Sequence, residues 1–182
     1  MPDSGKRPLS YAQAIREGLD QAMERIQNQD AGVLRGHATK HSKLDQILGG
    51  LQKSDLLVLA ARPSVGKTAF AIDIALRVAE QNIPVGVFSL EMSADQVVDR
   101  FIASRANTSL WKLRTGKLSH DGVDNDFLKI TNAISELKQM PIFVDDSSAI
   151  NVLQMRAMAR RLQAEHGLGM LIVDYLQLMA SR

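Results

Sequence analysis

The chain has 182 residues, 45% of them hydrophobic, with a formal net charge of +2 and no cysteine. This length buries one sizeable core and points to one domain with appendages, while the lack of cysteine excludes a disulfide framework, a Cys-ligated zinc and a thiol nucleophile. No apolar run approaches the roughly 20 residues that cross a bilayer and the start MPDSGKRPLS lacks a secretory stretch, so a soluble, cytoplasmic protein with no membrane partner is expected.

Ser10 is placed to cap a helix in which Ile15, Leu19, Ala22, Met23 and Ile26 recur at helical spacing, with Arg16, Glu17, Asp20 and Glu24 on the opposite face. The polar stretch Asn28 to Lys40 holds Gly32 and Gly36 and reads as a linker. Residues 1–40 are therefore expected to form an amphipathic helix on a linker, and residues 41–182 the main domain. The helix either docks on another surface or folds back on its own domain.

From His41 onward, short apolar runs alternate with helical segments, the pattern of an α/β fold with a mostly parallel sheet and helices on both faces. Gly49 and Gly50 end a short helix. Strands are expected at Leu56 to Ala60, Pro84 to Ser89, Pro141 to Val144 and Met170 to Val173, each a near-continuous apolar run. Helices are expected over Lys67 to Gln81, Ala94 to Ala106, part of Ser119 to Met140, and Val152 to Glu165.

Between the first expected strand and its helix lies Ala61-Arg62-Pro63-Ser64-Val65-Gly66-Lys67-Thr68, the context a phosphate-binding loop requires. Backbone N–H groups of the turn and the helix start, at Ser64, Val65, Gly66, Lys67, Thr68 and Ala69, would face phosphate oxygens of ATP. Lys67 brings a full charge to the β and γ phosphates, and the Thr68 hydroxyl is placed to ligate Mg²⁺. Ala61 replaces the motif's first glycine, which is tolerable at negative φ; Gly66 is the glycine expected to be indispensable.

The last expected strand, Leu171-Ile172-Val173-Asp174, ends in an acid. In parallel α/β sheets ligands bind at the carboxyl ends of strands, so Asp174 should share the crevice of the loop and hold the Mg²⁺. Glu91, in Ser89-Leu90-Glu91-Met92-Ser93, stands at the same edge. There it either polarises the water that attacks the γ-phosphate or begins a helix capped by Ser93; spacing leaves both readings open.

Asp145 and Asp146 also end a strand, but Asp146, Ser147 and Ser148 resemble turn and cap chemistry before the next helix rather than a metal site. The four histidines show no metal-ligand spacing, and Trp111 beside Leu110 and Leu113 reads as packing rather than a base-stacking platform. Two basic clusters, Arg105 with Lys112, Arg114 and Lys117, and Arg156 with Arg160 and Arg161, either meet nucleic-acid phosphates or form solvated helix faces; charge alone favours the second.

Taken in order, the run Ala61 to Thr68, Ser89-Leu90-Glu91-Met92-Ser93, Leu113-Arg114-Thr115-Gly116 and Asp174-Tyr175-Leu176-Gln177-Leu178-Met179 resemble the successive motifs of DnaB-type replicative helicases, from about Leu44 to Arg182. The resemblance implies a RecA-like P-loop NTPase core acting as a hexameric, ATP-driven motor on single-stranded DNA, with primase and a helicase loader as further partners. It assigns water activation to Glu91, with Lys67 beside it in the chemistry, and it likens the helix from Ser10 to the family's linker helix, which docks on a neighbouring subunit. The family's amino-terminal domain, sensor strand, DNA-binding loops and arginine finger have no counterpart here, so a partial motor domain, inactive or weakly active by itself, is expected. Because RecA-type cores place a later strand between those carrying the P-loop and the aspartate, the sheet should show a gap or a closed-up order. Alternatives are a RecA-like recombinase-type ATPase and a non-catalytic nucleotide-binding module.

Overall fold

The computed structural model describes residues 10–30, 34–120, 125–148 and 150–179. Contacts divide the chain into two compact units, Met1–Asp55 and Leu56–Arg182.

In the first unit, helix α1 (Tyr11–Asp30) begins as expected at Ser10. Its hydroxyl accepts the Gln13 N–H at 3.3 Å, and the Gln13 side chain accepts the Ser10 N–H at 3.0 Å. This reciprocal pair satisfies two donors that every helix start leaves free. Ile15, Leu19, Met23 and Ile26 are each more than half exposed, so the apolar stripe stands in solvent.

Helix α2 (Ser42–Leu48) stops at Gly49, whose φ of 68° is the left-handed conformation that closes helices. Buried Asp45 accepts both the Thr39 hydroxyl at 2.7 Å and the Thr39 N–H at 2.9 Å, which fixes the approach to α2. Part of the stretch read as linker is itself hydrogen-bonded: His37 and Leu51 exchange N–H···O bonds of 2.8 Å, and Gly36 donates to Gly49. A side chain at Gly36 would lie 2.4 Å from the Leu51 carbonyl oxygen, so this backbone crossing admits only glycine there.

The second unit is built on a parallel sheet of order β2-β1-β3, from β1 (Val85–Ser89), β2 (Ile142–Asp145) and β3 (Met170–Asp174). Every residue of central β1 is buried. Helices α3 (Lys67–Ala79) and α4 (Ala94–Arg105) belong to one side, where Ala71, Ile72, Ala75 and Val97 meet Val87 and Ile172. On the other side Phe88 packs with Ile150 and with Met155 and Met158 of α7 (Val152–His166). Gly86 lies under Leu162 of α7, leaving a Cβ only 3.4 Å from that side chain. A satellite core joins α4 to α5 (Leu110–Thr115) and α6 (Asp126–Leu137) through Ala106, Leu113, Ile130 and Ala133. Helices on both faces of a parallel sheet match the expected α/β class.

The expected strand Leu56 to Ala60 does not form. Among the described residues no backbone hydrogen bond reaches residues 56–60, and Leu56 and Val58 are 88% and 79% exposed. A strand exists through its ladder, and the two edges of β1 are taken by β2 and β3. The run is not hydrogen-bonded to β3 or to any other strand, so the closed-up order is not adopted. Trp111 also departs from expectation: it is 59% exposed, and Lys117 Nζ covers its ring at 5.1 Å, while Leu113 alone of its neighbours enters the satellite core.

Three basic side chains of the first cluster are ion-paired within the fold. Arg105 bridges Glu80 and Glu136, Arg114 faces Asp99, and Lys112 meets buried Asp126 at 2.9 Å. The hydrogen bond from Lys112, followed by that from the Ser119 N–H, holds the Asp126 carboxyl at about 2 instead of 3.8. A carboxyl depressed on folding stabilises the protein above its unfolded pKa, and that contribution is lost as pH falls through the folded value. Asp126→Asn should therefore lose less thermal stability than the parent on acidification from pH about 4 to about 2. Equal losses in melting scans across that window would contradict this account.

Candidate functional site

The loop preceding α3 turns on two residues of positive φ, Ser64 at 63° and Gly66 at 106°. Ala61 is not among the residues of positive φ, which meets the condition for its replacing glycine. At Gly66 there is open space where a Cβ would stand, so conformation and not crowding demands glycine there. No side chain caps α3. Its first turn closes with Phe70 N–H to the Gly66 carbonyl at 2.9 Å. Among the described residues, no acceptor faces the N–H groups of Gly66, Lys67, Thr68 and Ala69. Four aligned donors thus stand free at the positive end of a helix dipole.

Asp174 ends β3 in register with Ser89 and is buried, 8% exposed. One carboxylate oxygen accepts the Thr68 hydroxyl at 2.6 Å, and the other pairs with Lys67 Nζ at 2.9 Å. The Lys67 ammonium also lies 4.2 Å from the centre of the Tyr175 ring, a cation–π contact. Lys67, Thr68 and Asp174, far apart in sequence, thereby converge at the carboxyl edge of the sheet, as the strand-end rule requires. Tyr175 was not singled out from sequence, although its position directly after Asp174 put it within reach.

Glu91 lies in the turn after β1 and is exposed, with no hydrogen bond or ion pair to any described residue. Leu90 N–H extends the ladder by donating to the Asp174 carbonyl at 2.8 Å, and the Ser89 hydroxyl donates to the Met92 carbonyl at 2.8 Å. The turn carrying Glu91 is thus tied to the strand that carries Asp174. Ser93 occupies the cap position of α4 without a side-chain cap bond. That bond comes from Asp146, which accepts the Ala94 N–H at 2.7 Å. Asp146 therefore caps α4 and not the helix that follows it in sequence. Helix α7 is capped instead by Asn151, adjacent to it and paired reciprocally with Gln154. Asp145 accepts the Ser147 N–H at 3.0 Å in a tight turn after β2.

The sequence profile described as the DnaB-like helicase C-terminal domain matches residues 36–182. Replicative DNA helicase DnaB of Geobacillus stearothermophilus is 46% identical over 158 residues, covering 86% of this chain and 34% of that protein. Replicative DNA helicase DnaC of Bacillus subtilis is 41% identical over 177 residues, covering 96% of this chain and 38% of that protein. The chain thus spans little more than a third of the length of these two relatives. A structure of a DnaB-like replicative helicase and its interactions with primase superposes with a TM-score of 0.80 at 26% identity, over all of this chain and 42% of that one. A solved ATPase domain gives the same TM-score at 27% identity, over 97% of this chain and 59% of its own.

Proposed function

The chain belongs to the DnaB-like helicase C-terminal domain family, and from that premise we propose that it is the ATP-binding motor part of a replicative DNA helicase, coupling ATP hydrolysis to movement along single-stranded DNA and duplex unwinding. The observation that carries this reading is the junction of Lys67, Thr68 and Asp174 beside four free N–H donors. Phosphate oxygens lying against those N–H groups would find Lys67 at hand, and Ser64 to Ala69 would form the cradle. The Thr68 hydroxyl oxygen and the Asp174 carboxylate, 2.6 Å apart, suit a Mg²⁺ ion. Among the described residues no group of three or more acidic, histidine or cysteine side chains gathers, and Mg²⁺ needs few protein ligands because it keeps waters and phosphates. Bound there, the ion would neutralise charge on the phosphates.

Glu91 is the proposed base. Its unpartnered carboxylate can orient a water and accept its proton, which Asp174, already engaged by two donors, is poorly placed to do. The exposed stripe of α1 is proposed to dock on a neighbouring subunit in a hexameric ring, since Ile15, Leu19, Met23 and Ile26 form one apolar face in solvent. Primase and a loader are proposed as partners of the complete assembly, in the cytoplasm. Among the described residues no helix is long and apolar enough to cross a membrane.

Three outcomes test these assignments. Lys67→Ala should weaken Mg-ATP binding at least about tenfold in calorimetry and lower the melting temperature through loss of the Asp174 ion pair, while the buried apolar face of α3 keeps the helical circular dichroism. Unchanged affinity would remove the loop from the nucleotide site. In a complete helicase carrying this domain, Glu91→Gln should bind Mg-ATP normally and slow single-turnover hydrolysis by about a hundredfold or more, the usual scale of general-base catalysis; parental turnover would return Glu91 to a turn residue. Replacing Ile15 and Leu19 with serine should lower the mass of any assembly that the parent chain forms, read by light scattering, and an unchanged mass would show that the stripe is not the contact.

A further inference from the structure

Glu91 sits in an exposed turn, yet a base must be held within fractions of an ångström of its water to be effective. Three hydrogen bonds constrain this turn. Before Glu91, Leu90 N–H is held by the Asp174 carbonyl; across the turn, the Ser89 hydroxyl holds the Met92 carbonyl; after it, Ala94 N–H is held by Asp146. The first two come from β1 and its ladder partner β3, both part of the site itself. The third comes from the loop after β2, on the opposite edge of the sheet, 52 residues away in sequence.

We propose that Asp146 is the positioning residue for Glu91: by capping α4 from the neighbouring strand's loop, it fixes the downstream end of the turn and so the direction in which the glutamate carboxylate points. This rests on the reading of Glu91 as the base. Local sequence does not supply the anchor, because the Ser93 side chain makes no cap bond to the helix. A negative charge at a helix start is favourable in itself, so the bond forms without help from burial. Asp145 cannot take the role, since its carboxylate is engaged by the Ser147 N–H.

The bond has a donor that can be removed as cleanly as its acceptor. Ala94 is the first residue of α4, where proline is well tolerated, and Ser93 already has φ −64° and ψ 157°, the conformation favoured before proline. Ala94→Pro deletes the N–H while leaving the helix start intact; Asp146→Ala deletes the acceptor; Asp146→Asn keeps an acceptor oxygen. The test, in a complete helicase carrying this domain, measures Mg-ATP affinity, single-turnover hydrolysis followed over hours so that slow turnover is read, and hydrogen exchange at the amides of residues 91–93. Both single variants should bind Mg-ATP within about twofold of the parent, hydrolyse it about tenfold to a hundredfold more slowly and exchange those amides faster, as a displaced catalytic group predicts. The double variant should be no slower than the slower single variant, because the two changes break one bond. Asp146→Asn should recover most of the rate.

Parental hydrolysis and exchange in Asp146→Ala and Ala94→Pro, with Glu91→Gln slow beside them, would overturn the positioning role and leave the base intact. Affinity falling in step with the rate would overturn it as well, by showing a general loss of structure. Parental turnover in Glu91→Gln would overturn the base itself, and with it the role of Asp146.

Discussion

The carboxylate of Asp174 is the point on which the second unit turns. It joins the last residue of β3 to the first two residues of α3 through an ion pair and a hydrogen bond spanning 106 positions of sequence. Each partner alone is an expensive thing to hold in place. A largely buried carboxylate without donors has lost the solvation its charge needs. A lysine at the positive end of a helix is repelled by the dipole. Bringing the acid to the helix start offsets both costs in one contact. The geometry of the loop before it, with left-handed backbone at Ser64 and Gly66, follows from having to deliver Lys67 and Thr68 to that oxygen pair.

The sheet needs this contact because its neighbourhood is thinly supported. The run from Leu56 to Leu59 lies beside the loop in sequence but belongs to no ladder, and its side chains stand in solvent. In the usual arrangement a strand anchors the loop from behind. Here the anchor comes from in front, from β3 through Asp174, and from the apolar face of α3, whose Ile72, Ile74, Ala75, Leu76, Val78 and Ala79 are all buried. That division explains how a phosphate-loop conformation persists when the strand before it is unpaired.

What could be read from the sequence follows the range of the interactions involved. The three strands that form are near-continuous apolar runs whose alternation with helical segments gives the class of fold, and the meeting of Lys67, Thr68 and Asp174 at one edge follows from the loop motif together with the strand-end rule. The fourth run, Leu56 to Ala60, is as apolar as the others, but pairing depends on a neighbour and composition does not reveal whether one is present. The cap on α4 was misassigned for a related reason. Asp146 looks like a cap for the helix after it, and only the parallel pairing of β1 with β2 brings it to Ala94. Gly36, taken for a linker glycine, is a crossing point with Leu51 that no local pattern announces. Trp111 has the apolar neighbours of a packing residue, yet a short helix offers few inward positions, and Leu113 takes the one that reaches the satellite core.

The same contact bears on how ligands would enter the site under the proposed function. Lys67 is already satisfied, by Asp174 at 2.9 Å and by the face of Tyr175. To meet a phosphate chain its ammonium must leave a single negative charge for a group carrying several, an exchange that Coulomb attraction favours and that the free N–H groups of α3 reinforce. The exchange would leave the buried Asp174 carboxylate with only the Thr68 hydroxyl, and an uncompensated charge in that position is costly. A divalent cation held by those two oxygen groups would restore the balance that Lys67 gave up. Nucleotide and metal would therefore enter as coupled ligands, each making room for the charge the other needs, and the reason lies in one aspartate that cannot stay buried without a cation.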